Sequence, residues 1–315
     1  MKIAVLGGGS WGTALAMHLA RKKYSVKVWE FFAEQAREMQ QKRKCRLLSE
    51  VSLPKNIFVS SQMREVILGT DLVLIVVPSD KVCGTIETAK EYLEKQPIVI
   101  CSKGFGKNLE LMTEVVSKVV DNELFCLYGP THAEEVGKGM FSGIVLAGKS
   151  PKLKELQKIF ASENLRVESS NDLVGVQVAS ALKNIVAVFV GVLDGAGLGD
   201  NAKAYVMVKG LEEVKEIGLK LGAKAEVFFG LAGIGDMIVT GMSKHSRNRH
   251  VGYEVGKGRP LEKVLAEMKM VAEGVTTVKL AVKLQKKLGL KLPLIAGLYG
   301  VLFKDKKVEE VLQEI

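Results

Sequence analysis

The sequence predicts an α/β domain built on a mainly parallel sheet, followed by an all-helical domain. Three observations carry this. Short β-rich runs alternate with amphipathic stretches through the first half of the chain. From about Asn171 the β-rich runs cease and helix-period segments follow one another. A glycine triplet, Gly7, Gly9 and Gly12, stands directly after the first β-rich run and opens a helical pattern.

The strands are expected at 2–7, 25–30, 56–61, 71–78, 97–102, 124–129, 143–148 and 165–170. Amphipathic stretches such as "WGTALAMHLARKK" and "PKLKELQKIFASE" separate several of them and supply the helices that cover a parallel sheet. Helices are expected over 172–193, 201–221, 249–257, 260–269, 273–288, 293–303 and 306–314. The glycine-rich "DGAGLGDN" (194–201) and "GLAGIGD" (230–236) read as breaks between them. Two domains follow, 1–170 and 171–315, as a chain of 315 residues comfortably supports.

An apolar content of 47% with 25% charged residues is that of a globular protein. The apolar run at the N-terminus is too short for a secretory signal, and no later stretch reads as the roughly 18 apolar residues of a membrane span. Cys45, Cys83, Cys101 and Cys126 are scattered, which indicates neither a zinc site nor a disulfide framework and fits reduced thiols in the cytoplasm. The formal charge of +10 comes from lysines interleaved with glutamates, as in "EEVKEIGLKLGAKAE". With no zinc-finger, RNP or helix-turn-helix signature, nucleic acid is not an expected partner; a lysine-rich surface that attracts small anions is.

Gly7-x-Gly9-x-x-Gly12 in strand-to-helix context is the dinucleotide fingerprint, so the first domain is Rossmann-like. Its glycines allow a tight turn and close backbone approach, and the helix start offers N–H groups to a pyrophosphate. Glu30 ends the second run, where an acidic residue receives the ribose 2′-hydroxyl of NAD. Phe31 and Phe32 follow it, available for adenine stacking or plain packing, and bring no arginine for the 2′-phosphate of NADP.

Ligands of open α/β sheets bind beyond the carboxyl ends of the strands, where "CSKGFG" (101–106) places Lys103 and "YGPTHAEE" (128–135) follows another strand. In the second domain Ser246 is a suitable N-cap for a helix whose first turn holds Arg247 and Asn248. A cation is disfavoured there by the helix dipole, so its presence points to an anion such as a phosphate. The most unusual segment is "ASALKNIVAVFVG" (179–191), which carries Lys183 and Asn184 in an otherwise apolar helix. Gln177, Ser180, Asn184 and Gly191 form one polar stripe at helical spacing, expected to line a cleft with Lys183 at its edge. A lysine with a partly desolvated head suits acid/base work, against the plainer alternative of a head that snorkels to solvent. None of His18, His132, His245 and His250 has a carboxylate partner evident from the sequence.

Together "GGGSWGTALA", "SKGF", "YGPTHAEEV", "ALKNIVAVFVGVLDGAGLGDNAKA", "GLAGIGDMIVT", "SRNRHVG" and "EGVTT" strongly resemble the NAD(P)-dependent glycerol-3-phosphate dehydrogenase family of bacterial type, over almost the whole chain. The resemblance implies hydride transfer between NAD(P)H and dihydroxyacetone phosphate to give sn-glycerol 3-phosphate for phospholipid synthesis. It implies Lys183 as general acid/base with Asn184, Asp236 and Thr240 around it. It further implies Lys103, Gly129, Thr131, Ser246, Arg247 and Asn248 at the substrate, the last three chiefly at its phosphate. Beside Gly7, Gly9, Gly12, Glu30, Phe31 and Phe32, it places Ser10, Trp11, Lys103, Ala133, Arg247, Val271 and Glu273 at the coenzyme. Helical second domains of this type often dimerise, so a homodimer is expected by analogy, and no metal is expected. Many bacterial members carry a basic residue just after the second strand; this chain has "WEFF", which favours NADH over NADPH. Two other readings use the same build: a 3-hydroxyacid or sugar-phosphate dehydrogenase, and a dinucleotide-binding sensor without catalysis.

Overall fold

All eight β-rich runs become strands of one sheet: β1 (Lys2–Leu6), β2 (Ser25–Trp29), β3 (Ile57–Ser60), β4 (Leu72–Ile75), β5 (Ile98–Ile100), β6 (Leu124–Tyr128), β7 (Ser142–Ala147) and β8 (Leu165–Ser170). This is a computed structural model, describing residues 1–244, 246–268 and 272–315. The chain divides into two compact units, Met1–Leu173 and Val174–Ile315. The sheet order is β3-β2-β1-β4-β5-β6-β7-β8, and every neighbouring pair is parallel except β6 and β7. The first six strands give the Rossmann order, whose direction reverses between β1 and β4. β1, β4 and β5 explain their continuous apolar sequences by burial on both faces: Ile3–Leu6, Leu72–Ile75 and Ile98–Ile100 are fully buried.

The second unit is helical, and its longest element is the helix Leu173–Gly195. By length and composition this helix could cross a membrane, contrary to the expectation that no stretch approaches that size. Its burial gives the reason: every residue from Gly175 to Leu193 is buried, so its apolar sides face protein and it is the core of the unit. The helix Arg247–Gly256 packs on it unusually closely. A Cβ on Gly191 or Gly195 would collide with the carbonyl of Arg249 or Tyr253, and one on Gly252 or Gly256 with that of Val188 or Val192. Each helix thus contributes two glycines four residues apart, and the backbones meet where side chains would otherwise hold them apart. Gly191 therefore belongs to a helix crossing, not to the polar stripe expected to line a cleft.

The segment 230–236 is also not the break expected from its glycines. Leu231–Gly235 forms a wide helical turn, with Gly235 N donating to Gly230 O at 3.2 Å, and it runs directly into the helix Asp236–Met242. Glycine is a poor helix former, but a Cβ on Gly233 would strike the backbone of Phe228, so close packing selects glycine here over propensity. The helix Asp200–Lys220 lends a buried carboxylate, Glu213, to the start of the helix Pro293–Phe303. Its two oxygens accept from the N–H groups of Leu294 (2.6 Å) and Ile295 (2.9 Å).

Candidate functional site

In the first unit the glycine loop is shaped by three close approaches. Gly7 has φ +126°, and a Cβ there would lie 2.6 Å from the carbonyl oxygen of Val76, just past β4. The loop thus sits at the point where the strand order reverses. Gly12 passes so close to the Gly7 carbonyl that any side chain would overlap it, while nothing lies within 4 Å of the position a Gly9 Cβ would take. Gly9 caps the helix Ser10–Arg21, whose first turn has no acidic residue and no side-chain cap. Among the described residues the buried indole Nε1 of Trp11 has no hydrogen-bond partner. Open space at Gly9, an uncapped helix start and a spare indole donor fit a bound pyrophosphate.

Glu30 is buried at 8% exposure. Its carboxylate packs on Gly8, where a Cβ would lie 2.5 Å from Oε2, and Oε1 accepts from Phe32 N at 3.1 Å. Burial raises the Glu30 pKa, against the lowering effect of that hydrogen bond. The rings of Phe31 and Phe32 are exposed and pack edge to face. Gly8, Gly9, Glu30, Glu38, Cys45 and Arg46 line one recess. Arg46 had no signal in the sequence, because it arrives from the loop beyond the helix Ala33–Lys42 and not from the residues next to β2. Its Nη2 and Nε lie 2.6 Å and 2.7 Å from Glu38 Oε2.

Lys103 is held by the end of β6. Tyr128 donates its hydroxyl to Ser102 O at 2.7 Å, and Lys103 Nζ donates to Gly129 O at 3.2 Å. Neighbouring residues 128 and 129 thus fix the loop on both sides of the 102–103 peptide, while Gly104 at φ +137° supplies the turn after it. Thr131 donates its N–H to Gly129 O at 2.9 Å, and Ala133 begins the helix Ala133–Lys138. His18, by contrast, is spent on structure: its buried Nε2 lies 2.6 Å from Phe160 O, and burial lowers its pKa.

In the second unit Lys183 is 5% exposed, which removes the snorkelling alternative. Its ammonium donates to Asp236 Oδ1, forming a buried ion pair, and to Thr240 Oγ1 at 2.6 Å. Thr240 donates in turn to the Asp236 carbonyl at 2.6 Å. Asp236 and Thr240 lie four apart on the Asp236–Met242 helix, so both face the lysine. The lysine head is thus compensated by the carboxylate of Asp236, which the family resemblance placed around it, and it is buried where the polar stripe suggested a partly desolvated head at a cleft edge. Asn184 and Ser180 are buried beside it on the same helix, and the Ser180 hydroxyl has no partner among the described residues.

Ser246 caps the helix Arg247–Gly256, its Oγ accepting from Arg249 N at 3.2 Å. Arg247 opens that helix, and Asn248 Oδ1 accepts from Gly274 N at 2.9 Å, which ties it to the first turn of the helix Glu273–Leu288. An ion pair from Arg249 to Asp194, which also takes Lys203 Nζ at 2.7 Å, secures the same helix. Burial of Asp194 opposes ionisation, yet these two cations hold its carboxyl below the ordinary value. Glu273 begins its helix, whereas Val271 and His245 lie outside the described residues.

Comparison with known proteins matches 2–154 to the N-terminal and 172–313 to the C-terminal model of NAD-dependent glycerol-3-phosphate dehydrogenase. Similar curated proteins include the glycerol-3-phosphate dehydrogenases [NAD(P)+] of Prosthecochloris aestuarii, 40% identical over all of this chain and 97% of its own, and of a Thermoanaerobacter species, 39% identical over all of this chain and 96% of its own. Among solved structures, the glycerol-3-phosphate dehydrogenase from Coxiella burnetii superposes with a TM-score of 0.95 at 31% identity, covering 99% of this chain and 98% of that one. With both halves matched and relatives similar from end to end, the chain belongs to the NAD-dependent glycerol-3-phosphate dehydrogenase family and is an NAD(P)-dependent oxidoreductase.

Proposed function

We propose that this enzyme reduces dihydroxyacetone phosphate to sn-glycerol 3-phosphate, reversibly, with Lys183 as the general acid/base. The observation that carries the reading is a buried ammonium aimed by Asp236 and Thr240 in the unit that also holds the Ser246–Asn248 helix start. Bound NAD(H) supplies or takes up the hydride. Lys183 Nζ gives its proton to the C2 oxygen as the ketone is reduced and takes it back in the oxidative direction. The ammonium also stabilises negative charge growing on that oxygen. Reduction therefore slows on the alkaline side, where the amine is neutral, and oxidation speeds up.

In this reading Gly7–Gly12 hold the dinucleotide, Glu30 accepts its ribose hydroxyls, and NADH is preferred over NADPH. Lys103, Gly129 and Thr131 meet substrate. Ser246, Arg247 and Asn248 take its phosphate through a capped helix start and a guanidinium. Ser10, Trp11, Phe31, Phe32, Ala133, Val271 and Glu273 complete the coenzyme contacts. The product is the glycerol phosphate backbone of phospholipids, made in the cytoplasm. A homodimer is supported by the outer stripe of the Asp200–Lys220 helix, where Tyr205, Val208 and Leu219 are exposed at helical spacing.

Replacing Lys183 with Met tests the assignment. The variant should lose roughly 10²–10⁴ in kcat with dihydroxyacetone phosphate while NADH binding, followed by fluorescence, stays near wild type. Near-normal turnover by the folded variant would return this residue to a structural role.

A further inference from the structure

The recess at Glu30 contains a guanidinium that the sequence next to β2 does not provide. Arg46 lines it together with Gly8, Gly9 and Glu30. In a dinucleotide fold, a carboxylate at the end of the second strand receives the ribose hydroxyls, and an arginine nearby accommodates a 2′-phosphate. Both chemistries are therefore present at one place, and what decides between them is whether the guanidinium is free. It is not. Nε and Nη2, the edge that would grip a phosphate in fork geometry, both point at Glu38 Oε2, 2.7 Å and 2.6 Å away. The other oxygen of the same carboxylate takes Lys42 Nζ at 2.7 Å.

We propose that Glu38 sets coenzyme selectivity in this chain by withholding Arg46 from the ribose 2′ position. The inference rests on the reading above that this recess receives the adenosine ribose, and it adds a specificity residue on the outer helix. Hydrogen bonds from Lys42 and then Arg46 hold the Glu38 carboxyl below its ordinary value, so Glu38 is ionised across the neutral range. With the clasp closed, the Glu30 carboxylate has no guanidinium opposing it in the recess and repels a 2′-phosphate. With the clasp open, Arg46 has a guanidinium edge to offer that phosphate, and Lys42 adds positive charge at the rim. Arg46 and Lys42 are both well exposed, so opening the clasp disturbs no core packing.

The test compares wild type with E38Q, R46M and the double variant E38Q/R46M, each checked for unchanged melting temperature. Two readouts are used: kcat/KM with NADPH and NADH, and calorimetric affinity for the fragments 2′,5′-ADP and 5′-AMP. E38Q should raise the NADPH-to-NADH ratio about tenfold, with a matching gain in affinity for 2′,5′-ADP and none for 5′-AMP. The gain should vanish in the double variant, which removes the released guanidinium and the Glu38 charge together, whereas R46M alone leaves the Glu38 carboxylate in the recess without that guanidinium and should lower the ratio. A gain that persists in the double variant would overturn the inference, since the group that Glu38 withholds would then not be Arg46. An unchanged ratio in E38Q overturns it too. If 5′-AMP binds to none of the four proteins, the assignment of the recess itself fails; if 5′-AMP binds and 2′,5′-ADP gains nothing, only the role of Glu38 fails.

Discussion

Two ionisable side chains are buried in the helical unit to nearly the same depth, and they are satisfied in opposite ways. Lys183, 5% exposed, faces a carboxylate and a hydroxyl. Glu213, 7% exposed, accepts from two backbone N–H groups at a helix start. The first arrangement opposes full charges and retains the ammonium to which the proposed mechanism assigns proton transfer. The second sets partial charges against a carboxylate, and burial pushes the Glu213 pKa up to about 7, helped by nearby Glu216 and against the pull of both backbone bonds. Depth of burial therefore does not decide how an ionisable group is compensated. Its partner does.

The strongest way to break the pairing at Lys183 is Asp236→Asn. Removing one partner of a buried ion pair leaves an uncompensated charge, and a loss of about 3–5 kcal/mol is expected in denaturant melts. Turnover should fall as well, because the ammonium loses the group that aims it. A variant as stable as wild type would show that Lys183 has other compensation.

Glu213 sharpens the other half of the comparison through pH. Its folded pKa lies above that of an exposed glutamate, so its contribution is complete in acid, below the unfolded pKa of about 4.3, and is lost as pH rises through about 7. Wild type should therefore lose about 2–3 kcal/mol between pH 5 and pH 8 from this group alone. Glu213→Gln should flatten that slope, at the cost of about 1–2 kcal/mol in acid because one of two acceptors becomes a donor. An equally steep slope in the variant would assign the pH dependence to other groups.

The smallest effect belongs to Thr240→Val, which keeps volume and removes one hydroxyl between the lysine and the Asp236 carbonyl. About 1 kcal/mol of stability should go, with a kcat loss smaller than that of Lys183→Met. A kcat loss as large as that of Lys183→Met would make the hydroxyl, and not only the carboxylate, essential to aiming the amine.

The sequence announces features whose cause is local. All eight strands are legible because each is a short β-rich run, apolar throughout or alternating, bounded by turn residues, and the glycine loop because its spacing is fixed within six positions. Ser246 is legible as a cap for the same reason. Partners brought together by folding are not legible in that way. Asp236 lies 53 residues from Lys183 and entered only through family resemblance, and no spacing rule connects Arg46 to Glu30 or Glu213 to Leu294. Glu213 stands in "LEEVKE", where alternating charge reads as a solvated face. Gly233 misled in the other direction, since its glycine answers the backbone of Phe228 across the turn and not a need to end a helix.

The glycine crossing of the Leu173–Gly195 and Arg247–Gly256 helices carries a consequence for how this enzyme can vary. Because each of the four glycines abuts a carbonyl of the opposite helix, the separation of the two axes is fixed by main chain, which no compensating side-chain change can restore. A methyl at any one of them acts as a shim: it lifts one rod off the other and displaces the whole Ser246–Asn248 start relative to Lys183. In the proposed site the hold on a phosphate is thus set from Gly252 and Gly256, about one to three turns along the helix from Ser246–Asn248, and a lineage that altered either glycine would have to recalibrate both ends together.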